Sequence, residues 1–126
     1  MGYFVIKEVP SGVKFDLVAA NGEVIATSEV YNSLAACRKG IQSVATNAPK
    51  AKLEDQTEAY SPVTNPKFEL YRDKREAYRF RLRSRNGAII AVSEGYSSKN
   101  SCLDGIDSVK NNAIPAEIIK KSEKKD

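Results

Sequence analysis

The chain has 126 residues, of which 41% are hydrophobic and 29% charged, so it has the size and composition of one ordinary globular domain. No apolar run approaches the roughly 18 residues of a membrane-spanning helix, so we expect no membrane partner. The N-terminus lacks the pattern of a secretory leader, which favours a cytoplasmic protein. The net charge of +4 is uneven, because residues 1–63 carry 6 basic and 7 acidic side chains while residues 64–126 carry 14 and 9.

The composition also argues against catalysis and metal binding. The chain has no histidine, which removes the commonest general base and metal ligand. Cys37 and Cys102 are not arranged as a CxxC pair, and no glycine-rich phosphate loop or nucleophile motif is present. We therefore predict a protein that is not an enzyme and has no metal and no cofactor. Whether the two cysteines lie close together stays open.

An internal repeat dominates the sequence. Residues 13–48 align with residues 78–113 at a constant offset of 65, with 17 of 36 positions identical. Upstream, residues 3–8 match residues 67–72 at an offset of 64. We predict a single domain over residues 1–126, made of repeat one (2–56), a linker (57–66), repeat two (67–121) and a charged tail (122–126).

Each repeat begins with three predicted strands. In repeat one, apolar residues alternate with polar ones at Phe4 and Ile6 and again at Phe15 and Leu17, which is the period of a half-buried strand. An Asn-Gly pair then predicts a tight type I′ hairpin into the third strand in both repeats. The four turn residues are Asn21, Gly22, Asn86 and Gly87.

A helix and a short strand complete each repeat. Cys37, Ile41 and Val44 share one helical face, and Gly40 lies on that face as well. A glycine inside a helix is unfavourable, so its recurrence at Gly105 predicts a close approach between helix and sheet. Residues 51–56 and 116–121 predict the final strands, which gives the order β-β-β-α-β twice.

One repeat of about 50 residues would bury little core, so we expect an α+β fold in which both repeats form one antiparallel sheet with the two helices on one face. The segments ANGEVIATSEVYNS and RNGAIIAVSEGYSSK, each followed by a helix containing GIQSVATNA or GIDSVKNNA, resemble the YegP-like family of small bacterial proteins. The resemblance covers residues 2 to about 121. It implies that the last strand of each repeat is exchanged with the other repeat, and it implies no established activity.

The segment YRFRLRSRNG (78–87) carries an arginine at every second position. Its arginines alternate with the core residues Phe80 and Leu82, so they are expected to point outward together. We interpret them as a candidate polyanion-binding row, or else as charges that only keep an open sheet face soluble. The residues of the hypothesis are Arg79, Arg81, Arg83 and Arg85, with Arg72 and Tyr71 beside them.

A second segment, Ser-Glu-x-Tyr-x-Ser, occurs at 28–33 and 93–98. It is compatible with a small polar site, but its presence in both repeats favours a structural corner. We expect Tyr31 and Tyr96 to pack under the corner, and Glu29 and Glu94 to hold neighbouring N–H groups or the helix start.

The sequence thus favours a structural or interaction module that contacts a protein partner or another copy of itself through the open sheet face or a strand edge. The alternative is binding of RNA or single-stranded DNA through the arginines of repeat two.

Overall fold

The computed structural model describes residues 2–113 and the backbone of residues 117–121. The strands are β1 (Tyr3–Val9), β2 (Gly12–Val18), β3 (Val24–Thr27), β4 (Lys52–Asp55), β5 (Lys67–Arg72), β6 (Tyr78–Arg83), β7 (Ile89–Val92) and β8 (Glu117–Lys121). The helices are α1 (Leu34–Asn47) and α2 (Lys99–Asn112), with a short 3-10 helix (Ala48–Lys50) after α1. The predicted charged tail, 122–126, lies outside the described residues.

The described strands form one sheet in the order β4-β5-β6-β7-β3-β2-β1-β8. Antiparallel pairs connect β1 to β2, β2 to β3, β5 to β6, β6 to β7, and β3 to β7 at the centre. β4 is parallel to β5, and β8 is parallel to β1. The prediction of a purely antiparallel sheet is therefore wrong. Residues 57–66 carry the chain back to the starting end of β4 before β5 begins, and such a return makes neighbouring strands parallel.

The core lies on one face of this sheet. Phe4 and Phe15 meet edge to face with ring centroids 5.6 Å apart, and Phe68 and Phe80 repeat the contact at 5.7 Å. All four rings are fully buried, and burying such a side chain stabilises the fold by about 1.5–3 kcal/mol.

Both helices pack on this core. α1 contacts β2 and β7, whereas α2 contacts β6 and β3, so each helix contacts strands of both repeats. Ser33 and Ser98 cap the helices by accepting the N–H groups of the residues three positions later. Cys37 and Cys102 are buried, unbonded thiols on the core face of these helices. The opposite face of the sheet carries neither α-helix.

The helical glycines make room for an aromatic ring. A Cβ atom on Gly40 would lie 2.3 Å from the Tyr31 hydroxyl oxygen and 3.1 Å from the Phe15 ring. A Cβ atom on Gly105 would lie 2.3 Å from the Tyr96 hydroxyl oxygen. The close approach therefore involves the corner tyrosine as well as the sheet.

The Asn-Gly hairpins differ from the predicted turn type. A type I′ turn needs positive φ at both central residues, but at the first hairpin only Gly22 has it, at 88°. The Gly22 N–H donates to the Ala19 carbonyl, and the Ala19 N–H donates to the Glu23 carbonyl. This is a three-residue loop with a type I turn followed by a left-handed glycine, and Asn21 accepts the Glu23 N–H through its side chain. Gly87, with φ of 90°, occupies the same place in repeat two.

Candidate functional site

Three arginines of β6 lie on the sheet face opposite the core. The register places Arg79 beside Tyr71, Arg81 beside Glu69, and Arg83 beside Lys67. Their side chains are only 38%, 27% and 28% exposed. The row is therefore partly covered by its neighbours on the sheet instead of extending freely into solvent.

Glu69 is the centre of an ion-pair network on this face. Its carboxylate accepts hydrogen bonds from Arg81 and, at 2.9 Å, from Arg83, while the Lys67 ammonium lies 3.4 Å away. Burial raises the pKa of this carboxyl, but the hydrogen bonds from the two arginines outweigh burial and hold the pKa below its usual value. Two of the arginines predicted to contact phosphate therefore already neutralise a buried carboxylate.

The network continues onto β4 through Glu54, which is almost fully buried. Its carboxylate accepts hydrogen bonds from the Lys67 ammonium at 2.8 Å, from the Val63 N–H at 2.8 Å, and from Gln56. Burial raises the pKa of Glu54, but these donors outweigh it and lower the pKa to about 2. Because Val63 belongs to the connection between β4 and β5, the same carboxylate anchors that connection.

Arg79 also has an acidic partner. Its Nε donates to the Asp73 carboxylate at 2.6 Å, and its Nη1 donates to the Ser93 carbonyl at 3.1 Å. The hydrogen bond from Arg79 is the main reason that the pKa of Asp73 lies below its usual value. Asp73 also accepts the Ala77 N–H, so the pair fixes the hairpin between β5 and β6.

The two residues proposed beside the row have local partners as well. Arg72 contacts Glu76 at 3.2 Å, and its guanidinium lies 4.9 Å from the centre of the Tyr78 ring. The Tyr71 ring lies beneath the Arg81 guanidinium at 4.4 Å. A base would therefore have to displace Arg81 to stack on this face of Tyr71.

Arg85 does not belong to the row. β6 ends at Arg83, and Arg85 lies in the following hairpin, where its N–H donates to the Asn47 side chain of α1 at 3.2 Å. The side chain is exposed, and within residues 2–113 its guanidinium has no carboxylate partner. It is therefore the one member of the predicted row whose charge is available to a ligand.

Sequence reasoning missed the acidic partners Glu54, Glu69 and Asp73. A signal for Glu69 was present, because it lies two residues before Tyr71 on the same strand and so shares its face. Asp73 and Glu54 needed the hairpin geometry and the strand pairing, neither of which the residue pattern specifies.

The corner segments hold the end of the sheet. The Ser28 hydroxyl accepts the Phe15 N–H at 2.9 Å and donates to the Glu29 carbonyl at 2.7 Å, and Ser93 makes the same two bonds in repeat two. The rings of Tyr31 and Phe15 stack with centroids 6.3 Å apart. The Tyr96 ring stacks on Phe80 at the same distance.

The two corner glutamates do not make the hydrogen bonds that were predicted for them. Glu29 and Glu94 are exposed, and in the described part of the chain their carboxylates accept no hydrogen bond from the corner or the helix start. The serine hydroxyls perform that role. A neutral oxygen that can both donate and accept suits a position where the backbone supplies one group of each kind.

Within the described ranges, no group of three or more acidic, cysteine or histidine side chains is placed to hold a metal ion. No helix in those ranges is long and apolar enough to cross a membrane.

Comparisons with known proteins agree with this architecture. A family model described as a domain of unknown function, DUF1508, matches residues 12–55 and 73–119. The UPF0339 protein YegP of Yersinia pestis is 37% identical over 119 residues, which is 94% of each chain. A UPF0339 protein of Methanosarcina acetivorans is 62% identical over 53 residues, which is 42% of this chain and 91% of that protein.

A solved structure extends the agreement to three dimensions. The solution NMR structure of YegP from Escherichia coli, a protein of unknown function, superimposes with a TM-score of 0.80 at 29% identity, covering 98% of this chain and 96% of that one. The resemblance inferred from the repeated ANG and RNG segments is thereby confirmed. The chain belongs to the DUF1508 family and is a YegP-like protein of a family whose function is unknown.

Proposed function

We propose that this protein is a non-enzymatic interaction module that pairs with a partner strand through β4, at the open edge of the sheet. One observation carries the proposal. The Lys52 N–H donates to Pro66 at 3.3 Å and the Gln56 N–H donates to Leu70 at 2.8 Å, so alternate residues of β4 bond to β5. The intervening residues, Leu53 and Asp55, direct their backbone N–H and C=O groups away from the sheet.

The side chains at this edge favour an apolar contact. Leu53 is 43% exposed although it lies beside the fully buried Phe68, so the edge extends the apolar face of the sheet into solvent. Lys52 is exposed as well. An incoming strand would obtain main-chain hydrogen bonds from Leu53 and Asp55 and cover the leucine side chain.

The strand pairing supports a further proposal, that the two β-β-β-α-β repeats form one unit by exchanging their last strands. β4 ends repeat one and pairs with the first strand of repeat two, whereas β8 ends repeat two and pairs with the first strand of repeat one. The relative from Methanosarcina acetivorans aligns over little more than one repeat's length, which fits a repeat that serves elsewhere as a whole chain. An exchange inside one chain leaves an outer strand at each end of the sheet for an external partner.

Sedimentation equilibrium tests whether the β4 edge associates with a second copy of the chain. We expect concentration-dependent association that Leu53→Lys abolishes, because the variant replaces the exposed apolar side chain that an incoming strand would cover with a charged one. Val30→Lys is the matched control, since Val30 is 46% exposed and lies outside the strands. If the native protein associates and Leu53→Lys associates equally well, the edge is not the contact. If the native protein stays monomeric, affinity capture with native and Leu53→Lys baits must recover a partner specific to the native edge, or the proposal fails.

Binding of RNA or single-stranded DNA is the second candidate, and local charge favours it. The basic groups Lys67, Arg72, Arg79, Arg81, Arg83 and Arg85 outnumber the acidic partners Glu54, Glu69, Asp73 and Glu76 by six to four. Two surplus charges predict a log–log salt slope of about −1.4 on a single strand. Fluorescence anisotropy of a labelled oligonucleotide measures this slope. Arg85→Ser should weaken binding while Arg38→Ser, an exposed change on α1, should not, and no binding at low salt would exclude this function.

A further inference from the structure

A groove of about 480 Å³ separates α1 from the hairpin between β6 and β7. It is lined by Ser43, Asn47, Ser84, Arg85 and Asn86. Asn47 bridges its walls, because its Oδ1 accepts the Arg85 N–H at 3.2 Å and its Nδ2 donates to the Ser43 carbonyl at 2.8 Å. The helix and the hairpin are therefore held together before any ligand arrives.

The polar groups left over in this groove are hydrogen-bond donors. The Asn86 Oδ1 accepts the Ser84 hydroxyl and the Ala88 N–H at 3.4 Å, which leaves its Nδ2 available. The Ser43 hydroxyl oxygen accepts from Asn47 at 3.1 Å, and its O–H donates to no acceptor within residues 2–113. The exposed Arg85 guanidinium adds a positive charge with several N–H groups. A hydroxyl, an amide and a guanidinium on residues that line one groove are the donors that suit an oxyanion.

The other repeat supplies an internal comparison. A related groove of about 290 Å³ lies between α2 and the hairpin between β2 and β3. Two polar lining positions are retained there, with Ser108 and Asn21 at the positions of Ser43 and Asn86. The charge is reversed, because Ala20 replaces Arg85 and the lining includes Glu23 and Asp104. Asp104 corresponds to Lys39, one helical turn before Ser43 in α1.

We propose that the groove beside Arg85 is a binding site for a small molecule that carries a phosphate group. The Arg85 guanidinium supplies the charge, and the Ser43 hydroxyl and the Asn86 amide bind the remaining phosphate oxygens. Lys39 and Lys50, exposed residues that flank Ser43 and Asn47 along the chain, raise the local positive potential. The site stands apart from the β4 edge and does not depend on the partner proposed there.

Titration of the ¹⁵N-labelled protein with inorganic pyrophosphate at constant ionic strength tests the site. We expect saturable shifts centred on the amides of Ser43, Arg85 and Asn86, and a loss of affinity of about tenfold in Arg85→Ala, the effect of removing one charge-assisted contact. Arg75→Ala is the matched control, because Arg75 is an exposed hairpin arginine of the same repeat. Shifts spread over all basic residues, or equal affinity in Arg85→Ala and Arg75→Ala, would overturn the proposal.

A second titration distinguishes binding of a small phosphate-containing ligand from binding of a nucleic-acid backbone. The same titration is run with a short single-stranded oligonucleotide. We expect pyrophosphate to bind at least as tightly as the oligonucleotide and to displace it from the groove beside Arg85. Oligonucleotide binding at this groove that pyrophosphate does not displace would overturn the small-ligand site in favour of a polymer path.

Discussion

Replacing Gly40 with alanine tests how α1 is seated on the sheet. The new Cβ atom would lie 2.3 Å from the Tyr31 hydroxyl oxygen and 2.7 Å from the adjacent ring carbon, well inside the roughly 3.5–4.0 Å of an ordinary contact. The ring has little freedom to retreat, because it stacks on Phe15 and its backbone bonds to Val13 at 2.6 and 2.8 Å. Overpacking of this kind costs up to about 3 kcal/mol, while alanine restores about 1 kcal/mol of helix propensity. We therefore expect Gly40→Ala to lower the free energy of unfolding by about 2 kcal/mol.

Urea unfolding followed by circular dichroism measures this change through the midpoint and slope of the transition. A double-mutant cycle with Tyr31→Phe isolates the contact, since removing the hydroxyl should return about half of the loss. Gly105→Ala should repeat the result, because Tyr96 makes the same approach to Gly105 in repeat two. An unchanged or higher urea midpoint in Gly40→Ala would show that the tyrosine ring moves aside freely and would refute the reasoning.

Two further changes probe the charged face and its hairpin. The pKa of Glu54 falls from an ordinary 4.5 to about 2 in the folded state, so its ionisation stabilises the fold above pH 4.5 and that stability is lost as the pH falls through 2. Glu54→Gln should flatten the decline in urea midpoint between pH 4.5 and 2, whereas the exposed Glu29→Gln should not; parallel declines in both variants would contradict the assignment. Glu76 has a positive φ of 65°, so Glu76→Asn should raise the free energy of unfolding by about 0.5–1 kcal/mol, and a lower urea midpoint would show that its contact with Arg72 outweighs the backbone strain.

The residue pattern predicts the strands of this fold better than their partners. Alternation around Phe15 and Phe80 indicates β2 and β6 because every second side chain of each strand faces the helices and is apolar, which leaves a period of two in the sequence. The parallel direction of β4 leaves no such mark, since it depends on the path of the linker. The prediction of the turn type at Asn21 was wrong for a related reason. Asn-Gly fits two hairpins that differ by one loop residue, and the pairing of Ala19 with Glu23 decides between them.

At the candidate site, too, the residue pattern predicts the direction of the side chains but not their partners. Alternation predicts that Arg81 and Arg83 leave the core, which they do, but an outward direction does not establish a free charge. Glu69 lies 12 residues before Arg81 in sequence and directly beside it in the sheet, so only the register of β5 against β6 identifies it as the partner. A row of like charges on a strand should therefore be compared with the facing strand before it is assigned to a ligand.

The duplication separates structural residues from candidate functional ones within a single chain. Asn47 and Asn112 donate to Ser43 and Ser108 with the same pair of distances, 2.8 and 3.1 Å, so that contact serves the helix in both repeats. The close contact between the corner tyrosine and the helical glycine also occurs in both repeats. Arg85 has no such counterpart, because Ala20 occupies its position in repeat one. A residue that differs between the two repeats is not required by the fold that they share, which makes the groove beside Arg85 the place where a ligand-specific role is best sought.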